Sequence, residues 1–182
     1  MQTATHLLSI LDMNNTNSLN QAAAEVCTYL KNAGIKFSLV AHASAFTIEE
    51  CAEVEKLIGG RICKNLFLQT TSGSSYYLLM LDGSKKFVTK DVSKKLGSSR
   101  LSFAPSEAMQ RLLNTSPGSL SVTSLIFDKE KRVALAIDGD ILKEEYICCH
   151  PSDNTATLKI KTSDITEKLL PLLGIEPKVI EI

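Results

Sequence analysis

Lys64 stands in a setting that invites chemistry. It interrupts the run Arg61-Ile62-Cys63-Lys64-Asn65-Leu66-Phe67-Leu68, and in a strand the two-residue alternation puts its ammonium on the face of Ile62, Leu66 and Leu68. On an edge strand such a lysine snorkels to water. Projecting instead into a pocket with apolar walls, it binds existing or developing negative charge strongly, because little solvent screens it there. His150 closes another apolar run ahead of Pro151 and the polar turn Ser152-Asp153-Asn154-Thr155. An imidazole at such a strand end either caps its own loop or positions water. His42 ends a third run and admits the same two readings. Asn114-Thr115-Ser116-Pro117-Gly118-Ser119 is turn material whose N–H groups could approach a carbonyl or oxyanion closely. Lys85, Lys86, Lys90, Lys94, Lys95 and Arg100 crowd one short stretch, either as a solvated helix face or as a patch for phosphates.

Much other chemistry is excluded. No serine lies in G-x-S-x-G, no Asp/Glu pair presents itself as acid and base, and no glycine-rich phosphate loop follows a strand. Five cysteines (Cys27, Cys51, Cys63, Cys148, Cys149) are odd in number and lack C-x-x-C spacing, so they read as reduced thiols packed as small hydrophobes, with no metal site. The 182 residues, 44% hydrophobic and 22% charged, suit one globular domain with a sizeable core. Twenty Lys+Arg balance twenty Asp+Glu, so a polyanion must be met by a local patch rather than a global field. The longest apolar run, Tyr76 to Leu81, is far short of the roughly 20 residues that span a bilayer. The apolar stretch at the N-terminus has no basic residue before it, unlike a secretory signal. A cytoplasmic protein without a membrane partner is the expectation.

The elements that must hold these groups alternate irregularly. A helix from about Asn20 to Asn32 carries Ala22, Ala23, Val26, Cys27 and Leu30 at helical spacing and stops before Gly34. Ile35–Ala41 reads as a strand, and Thr47 with Glu50 three residues on opens a helix that ends near Gly59-Gly60. Arg61–Gln69 and Tyr76–Asp82 form a hairpin by composition, Lys86-Phe87-Val88 offers one more strand, and a basic helix from Lys90 to Leu96 stops at Gly97. Another helix follows Pro105, strands fall at Arg132–Asp138, Tyr146–Cys149 and Ala156–Ile160, a helix runs from Ser163 to Leu173, and a last strand spans Lys178–Ile182. The pattern predicts a single α/β (α+β) domain around a mixed, mostly antiparallel curved sheet flanked by helices. Residues 1–19 read as a loosely attached extension before an editing-type domain at 20–182, once the following likeness is considered.

The chain resembles the YbaK-like family of aminoacyl-tRNA deacylases, which also supplies the editing insertion of bacterial prolyl-tRNA synthetases, and within it the free-standing alanyl-tRNA(Pro) deacylases. The likeness runs from about Asn20 to the C-terminus. It rests on His42…Thr47-Ile48-Glu49-Glu50, Lys64-Asn65-Leu66-Phe67-Leu68, Pro117-Gly118-Ser119, Asp128-Lys129-Glu130…Arg132-Val133 and Cys149-His150-Pro151…Asn154-Thr155-Ala156-Thr157, in that order. Val122 stands where the family's glycine loop often has proline, and Ala43-Ser44 where prolines often follow the first histidine.

The resemblance implies hydrolysis, in trans, of the ester joining a wrong amino acid to the terminal adenosine of tRNA(Pro), without metal or other cofactor. Lys64, His150 and the main chain of Gly118 are implied as catalytic groups. Asn65, His42, Thr47, Ser119 and Asn154 are implied as substrate contacts, Asn65 being typical of the alanine-specific branch. The partners implied are the tRNA(Pro) acceptor end and prolyl-tRNA synthetase, with Lys85, Lys86, Lys90 and Lys94 as the phosphate patch. Such a site needs no protein nucleophile, because an aminoacyl ester is already activated. Ile62, Leu66 and Leu79 are expected to wall a tight apolar pocket around Lys64 that admits alanine and excludes proline by size. Two other functions fit the same residues: a deacylase for misacylated Cys, Ser or Thr, and a non-catalytic tRNA-binding module of the same fold.

Overall fold

The computed structural model describes residues 9–11, 19–42 and 58–182. The first helix, α1 (Gln21–Asn32), starts where Asn20 accepts the N–H of Ala23 at 2.8 Å, and it buries Ala23, Val26, Cys27 and Leu30. Among the described residues nine strands follow or flank it: β1 (Ser9–Leu11), β2 (Phe37–Ala41), β3 (Arg61–Thr70), β4 (Tyr76–Asp82), β5 (Leu101–Phe103), β6 (Val133–Asp138), β7 (Tyr146–Cys149), β8 (Ala156–Lys161) and β9 (Lys178–Ile180). Between them lie α2 (Thr89–Leu96), α3 (Ser106–Leu113), two 3₁₀ turns at Val122–Phe127 and Ile141–Lys143, and a helical stretch α4. That stretch comprises Thr162–Asp164, a π-helical turn Ile165–Leu169, and Leu170–Leu173. Gly97 and Gly174 close α2 and α4 in the left-handed conformation, as the sequence suggests.

The sheet order is β1-β2-β8-β7-β3-β4-β6-β9, with β5 added to β3. Five pairings are antiparallel, while β3 with β7, β4 with β6 and β6 with β9 are parallel. The mixed, mostly antiparallel sheet expected from the sequence is therefore present. Both faces of its centre are covered, which is why β4 reads as unbroken apolar sequence. On one face Phe67, Leu78, Met80 and Leu135 pack with Val26 and Leu30 of α1, Leu113 of α3 and Leu125 of the first 3₁₀ turn. On the other, Leu68, Leu79, Leu81 and Ala136 pack with Val92 and Leu96 of α2. A smaller cluster on that second face joins Val40, Ile58, Cys148 and Ile62.

Two expectations change. Lys86-Phe87-Val88 is not a strand but the lead-in to α2, because Lys85 is pinned to carboxylates and the three residues that remain find no partner edge. The edge is taken instead by Leu101–Phe103, too short to stand out in sequence. Ser9–Leu11, inside the extension expected to be loose, pairs with β2 as an edge strand. The helix expected from Thr47 lies outside the described residues, except that Ile58 is helical and Gly59 follows with φ +65°.

Candidate active site

The sheet divides at Lys64. Along one edge of β3 the register pairs Arg61 and Ile62 with Ile147 and Cys148 of β7, and then Leu68–Thr70 with β5. Cys63–Leu66 lie between, with no strand partner on that edge among the described residues. A gap between diverging strands is a usual place for a ligand, approached by the alternate side chains of the strands that border it.

Alternation decides which side chains reach the gap. Ile62, Lys64, Leu66 and Leu68 share one face, as the sequence indicates, and Lys64 lies across β4 from Leu81 between the two apolar clusters of that face. Tyr146 and Cys148 follow the same alternation on β7, and His150 comes directly after its end. Ile62 pairs with Cys148, and Lys64 and His150 each stand two residues beyond that pair, where the two strands part. Val40 and His42 belong to this face too, and the His42 and His150 rings lie 6.2 Å apart. His42 Nε2 is 2.9 Å from the hydroxyl of Thr157, and its main-chain N–H donates to Thr155 O.

Lys64 is exposed, and its Nζ donates to the carbonyl of Lys85 at 3.0 Å. The pocket expected around it is altered in one wall: Leu79 is fully buried with Val92 and Leu96 under α2, leaving Ile62 and Leu66 beside the lysine. Asn65 points to the opposite face, across from Met80, where its Nδ2 donates to Cys63 O at 3.2 Å and its Oδ1 is buried without a hydrogen-bond partner. It does not share Lys64's face.

His150 is held from three sides. Its Nδ1 lies 2.8 Å from Ala156 O; a carbonyl only accepts, so Nδ1 carries the hydrogen and the neutral ring presents the Nε2 lone pair. Its own carbonyl accepts from the hydroxyls of Ser121 and Thr123 at 2.5 and 2.9 Å. Burial pushes the imidazole pKa below its ordinary value, against the pull of the Ala156 carbonyl. The corner after it is fixed by Ser152, which is at φ +61° and 2.8 Å from the Ser124 hydroxyl, and by Asp153. That carboxylate accepts from Thr155 and from the main chain of Asn20 at the start of α1, and these bonds outweigh burial and keep it below the usual range.

Gly118 arrives from the loop after α3. It is exposed, has φ +88°, and a Cβ there would stand 3.9 Å from Asn154 Nδ2, so the glycine loop abuts the His150 corner. Ser119 is buried in the turn closed by its N–H to Ser116 O. Val122 begins the 3₁₀ turn that Ser121 caps, so the position where the family often has proline is the first residue of a helical turn, which needs no N–H. Thr47 lies outside the described residues. The buried hydroxyls of Ser121, Thr123 and Ser124 were missed in the sequence, where only the Ser121-x-x-Ser124 spacing hints at a cap.

The basic patch is split by the structure. Lys85 is paired with Asp138 at 2.8 Å and Asp140 at 2.6 Å, and these hydrogen bonds raise its pKa and, together with Lys143, hold Asp140 at about 2. Lys86, Lys90 and Lys94 are exposed and make no ion pair among the described residues. At the other end of the same face Lys159 lies over the Tyr146 ring, 4.4 Å from its centroid, beside Lys36 and Lys161 in a shallow hollow. No helix among the described residues is long and apolar enough to cross a membrane.

The prolyl-tRNA editing protein ProX of Acetoanaerobium sticklandii is 30% identical over 161 residues, covering 88% of this chain and 98% of its own length. The mouse prolyl-tRNA synthetase associated domain-containing protein 1 is 30% identical over 149 residues, 80% of this chain and 88% of the relative. A crystal structure provisionally assigned as a trans-editing enzyme for prolyl tRNA synthetase superposes with a TM-score of 0.68 at 20% identity, over 91% of this chain and 99% of that one. The model of the aminoacyl-tRNA editing domain matches residues 42–168, from the first histidine of the site through α4's π turn. This chain belongs to the aminoacyl-tRNA editing domain family.

Proposed function

We propose that the protein hydrolyses, in trans, the ester between alanine and the 3′-terminal adenosine of mischarged tRNA(Pro). Its family consists of aminoacyl-tRNA deacylases, hydrolases of that ester bond. The observation that supports the reading is the register of Ile62 with Cys148, which sets the strand bearing Lys64 beside the strand that leads into His150. A water whose proton passes to Nε2 of His150 attacks the ester carbonyl. The Lys64 ammonium and main-chain N–H groups of the Gly118 loop stabilise the tetrahedral oxyanion, and the C–O bond to the ribose breaks as that oxygen takes up a proton. His42 and Asn154 line the approach. Lys86, Lys90 and Lys94 meet tRNA phosphates, whereas Lys85 serves the fold. Alanine differs from proline by so few methylenes that direct discrimination yields only about 1–3 kcal/mol per group, so a separate small site is the effective remedy. The reading places the enzyme in the cytoplasm beside prolyl-tRNA synthetase.

Alanine release from preformed Ala-tRNA(Pro), with wild type and Lys64→Ala side by side, tests this. Loss of about 100-fold or more in the variant is expected, and equal rates overturn the role of Lys64. A parallel panel of Cys-, Ser- and Thr-charged tRNAs that reacted faster than Ala-tRNA(Pro) would reassign the amino acid.

A further inference from the structure

Phe103 is an anomaly on this surface: its side chain is 62% exposed, although it sits in a strand whose neighbour Leu101 is buried. It lies across from Leu68 on the face that carries Lys64, and its ring meets that of Phe87 at a centroid distance of 5.5 Å and a tilt of 56°. The two rings make a notch that is exposed at Phe103. Val88, 47% exposed, extends the apolar surface. Exposed Lys86 and Lys90 flank it, and Asp91 and Glu107 are the exposed carboxylates in the neighbouring first turns. An apolar ring bordered by lysines without ion pairs, Lys86 and Lys90 among the described residues, has the composition of surfaces that stack a base and hold its phosphates.

Its position is set by the chain. Lys85, whose carbonyl receives the Lys64 ammonium, is two residues before Phe87, so at most about 7 Å of backbone separates them. The notch therefore begins on the order of 10 Å from the ammonium, a distance that one to three nucleotides bridge at about 3.4 Å per stacked nucleotide. We infer that Phe103, braced by Phe87, is the stacking platform for an unpaired base of an RNA 3′ end, just upstream of the nucleotide held at Lys64, with Lys86 and Lys90 on the adjoining phosphates. The placement of the reacting nucleotide rests on the deacylase reading; the platform itself can be tested without it.

Two hairpin RNAs with the same duplex, one ending in unpaired ACCA and one blunt, are titrated against wild type, Phe103→Ala and Phe103→Trp by fluorescence anisotropy. Wild type is expected to prefer the overhang by about 5-fold or more, Phe103→Ala to lose that preference, and Phe103→Trp to keep it. In kinetics, Phe103→Ala raises KM for Ala-tRNA(Pro) by a similar factor with kcat unchanged, and leaves hydrolysis of 2′(3′)-O-alanyl-adenosine untouched because that substrate has no upstream base. Equal binding of the two hairpins by wild type overturns the platform, as does an unchanged Phe103→Ala or an equal loss on both substrates. So does a wild-type dimer in sedimentation that Phe103→Ala dissolves. Wild type inactive on either ester defeats the deacylase reading alone, and the hairpin comparison still decides the platform.

Discussion

The ammonium of Lys64 ends on the main-chain carbonyl of Lys85, 3.0 Å away, and the ammonium of Lys85 ends in turn on Asp138, a carboxylate with no exposure to solvent. The second oxygen of Asp138 accepts the main-chain N–H of Asp82 at 3.3 Å. Lys64 is thus placed by a loop that is itself bolted to the sheet through charge.

Asp138→Asn leaves Lys85 without its buried partner, and the expected loss is about 2–3 kcal/mol in urea unfolding, less than for a fully buried pair because Asp140 remains. Lys85 is raised above its unfolded value, so the stabilisation is complete below the ordinary lysine range and fades as pH rises through the raised one. An Asp138→Asn protein as stable as wild type would show that the pair contributes nothing.

His150 keeps a neutral ring to lower pH than an ordinary histidine. The acid limb of hydrolysis is therefore expected below pH 6.5, and His150→Gln removes it along with most of the rate. Stability follows the same sign: the unfolded chain takes the proton first, so stability falls as pH drops through 6.5 and levels off below the depressed folded value. A limb at or above pH 6.5 would contradict the burial described.

Gly118→Ala has room for its Cβ, since the nearest atom would be 3.9 Å away, but φ +88° strains any L residue. A stability loss of about 1–2 kcal/mol is expected, with a fall in kcat larger than the change in KM if the loop's N–H groups serve the oxyanion. The reverse split would point to ground-state binding alone.

Salt separates the lysines. Removing Lys86, Lys90 or Lys94 should each lower the slope of log affinity for tRNA against log salt by about 0.7–0.9, while Lys85→Met leaves the slope unchanged because its charge is spent on Asp138 and Asp140. A Lys85 effect equal to the others would reverse this division.

The buried thiols Cys27, Cys63 and Cys149 all have raised pKa values, Cys63 to about 12, chiefly through burial. Ellman's reagent should leave all three unmodified in the native protein and reach them on unfolding; labelling of Cys63 in the native state would place it at the surface.

Strong local signals carried the fold. Asn20 and Gly34 bracket α1, the apolar runs of β3 and β4 flank an evident turn, and Gly97 and Gly174 end helices, so these were legible residue by residue. Lys86-Phe87-Val88 and Leu101-Ser102-Phe103 are equally short and equally β-prone, and only the pinning of Lys85 by Asp138, far away in sequence, decides which becomes a strand. The candidate site was legible in the residue types it offers and less so in the directions they take. Alternation places Lys64 correctly, yet it also sends Asn65 to the other face, a consequence that adjacency in a motif hides. Leu79 was expected at a wall because β4 lies beside β3, but α2 covers it. The hydroxyls behind His150 left almost no trace, since a buried serine and an exposed one look alike until the fold brings Ser121 to the carbonyl.

Only two register positions join β3 to β7, and the strands they join are each already secured by a local hairpin, β3 with β4 and β7 with β8. Closing residues 61 and 147 onto each other bears the entropy of a long loop for a small number of bonds, so this seam is expected to form late in folding and to yield early under stress. Because Lys64 is on one side of it and His150 on the other, hydrolysis that uses both, as proposed, is expected to fade when this seam loosens. The thermal ceiling of the enzyme is then expected to follow that joint, and a substitution that tightens it to raise the working temperature.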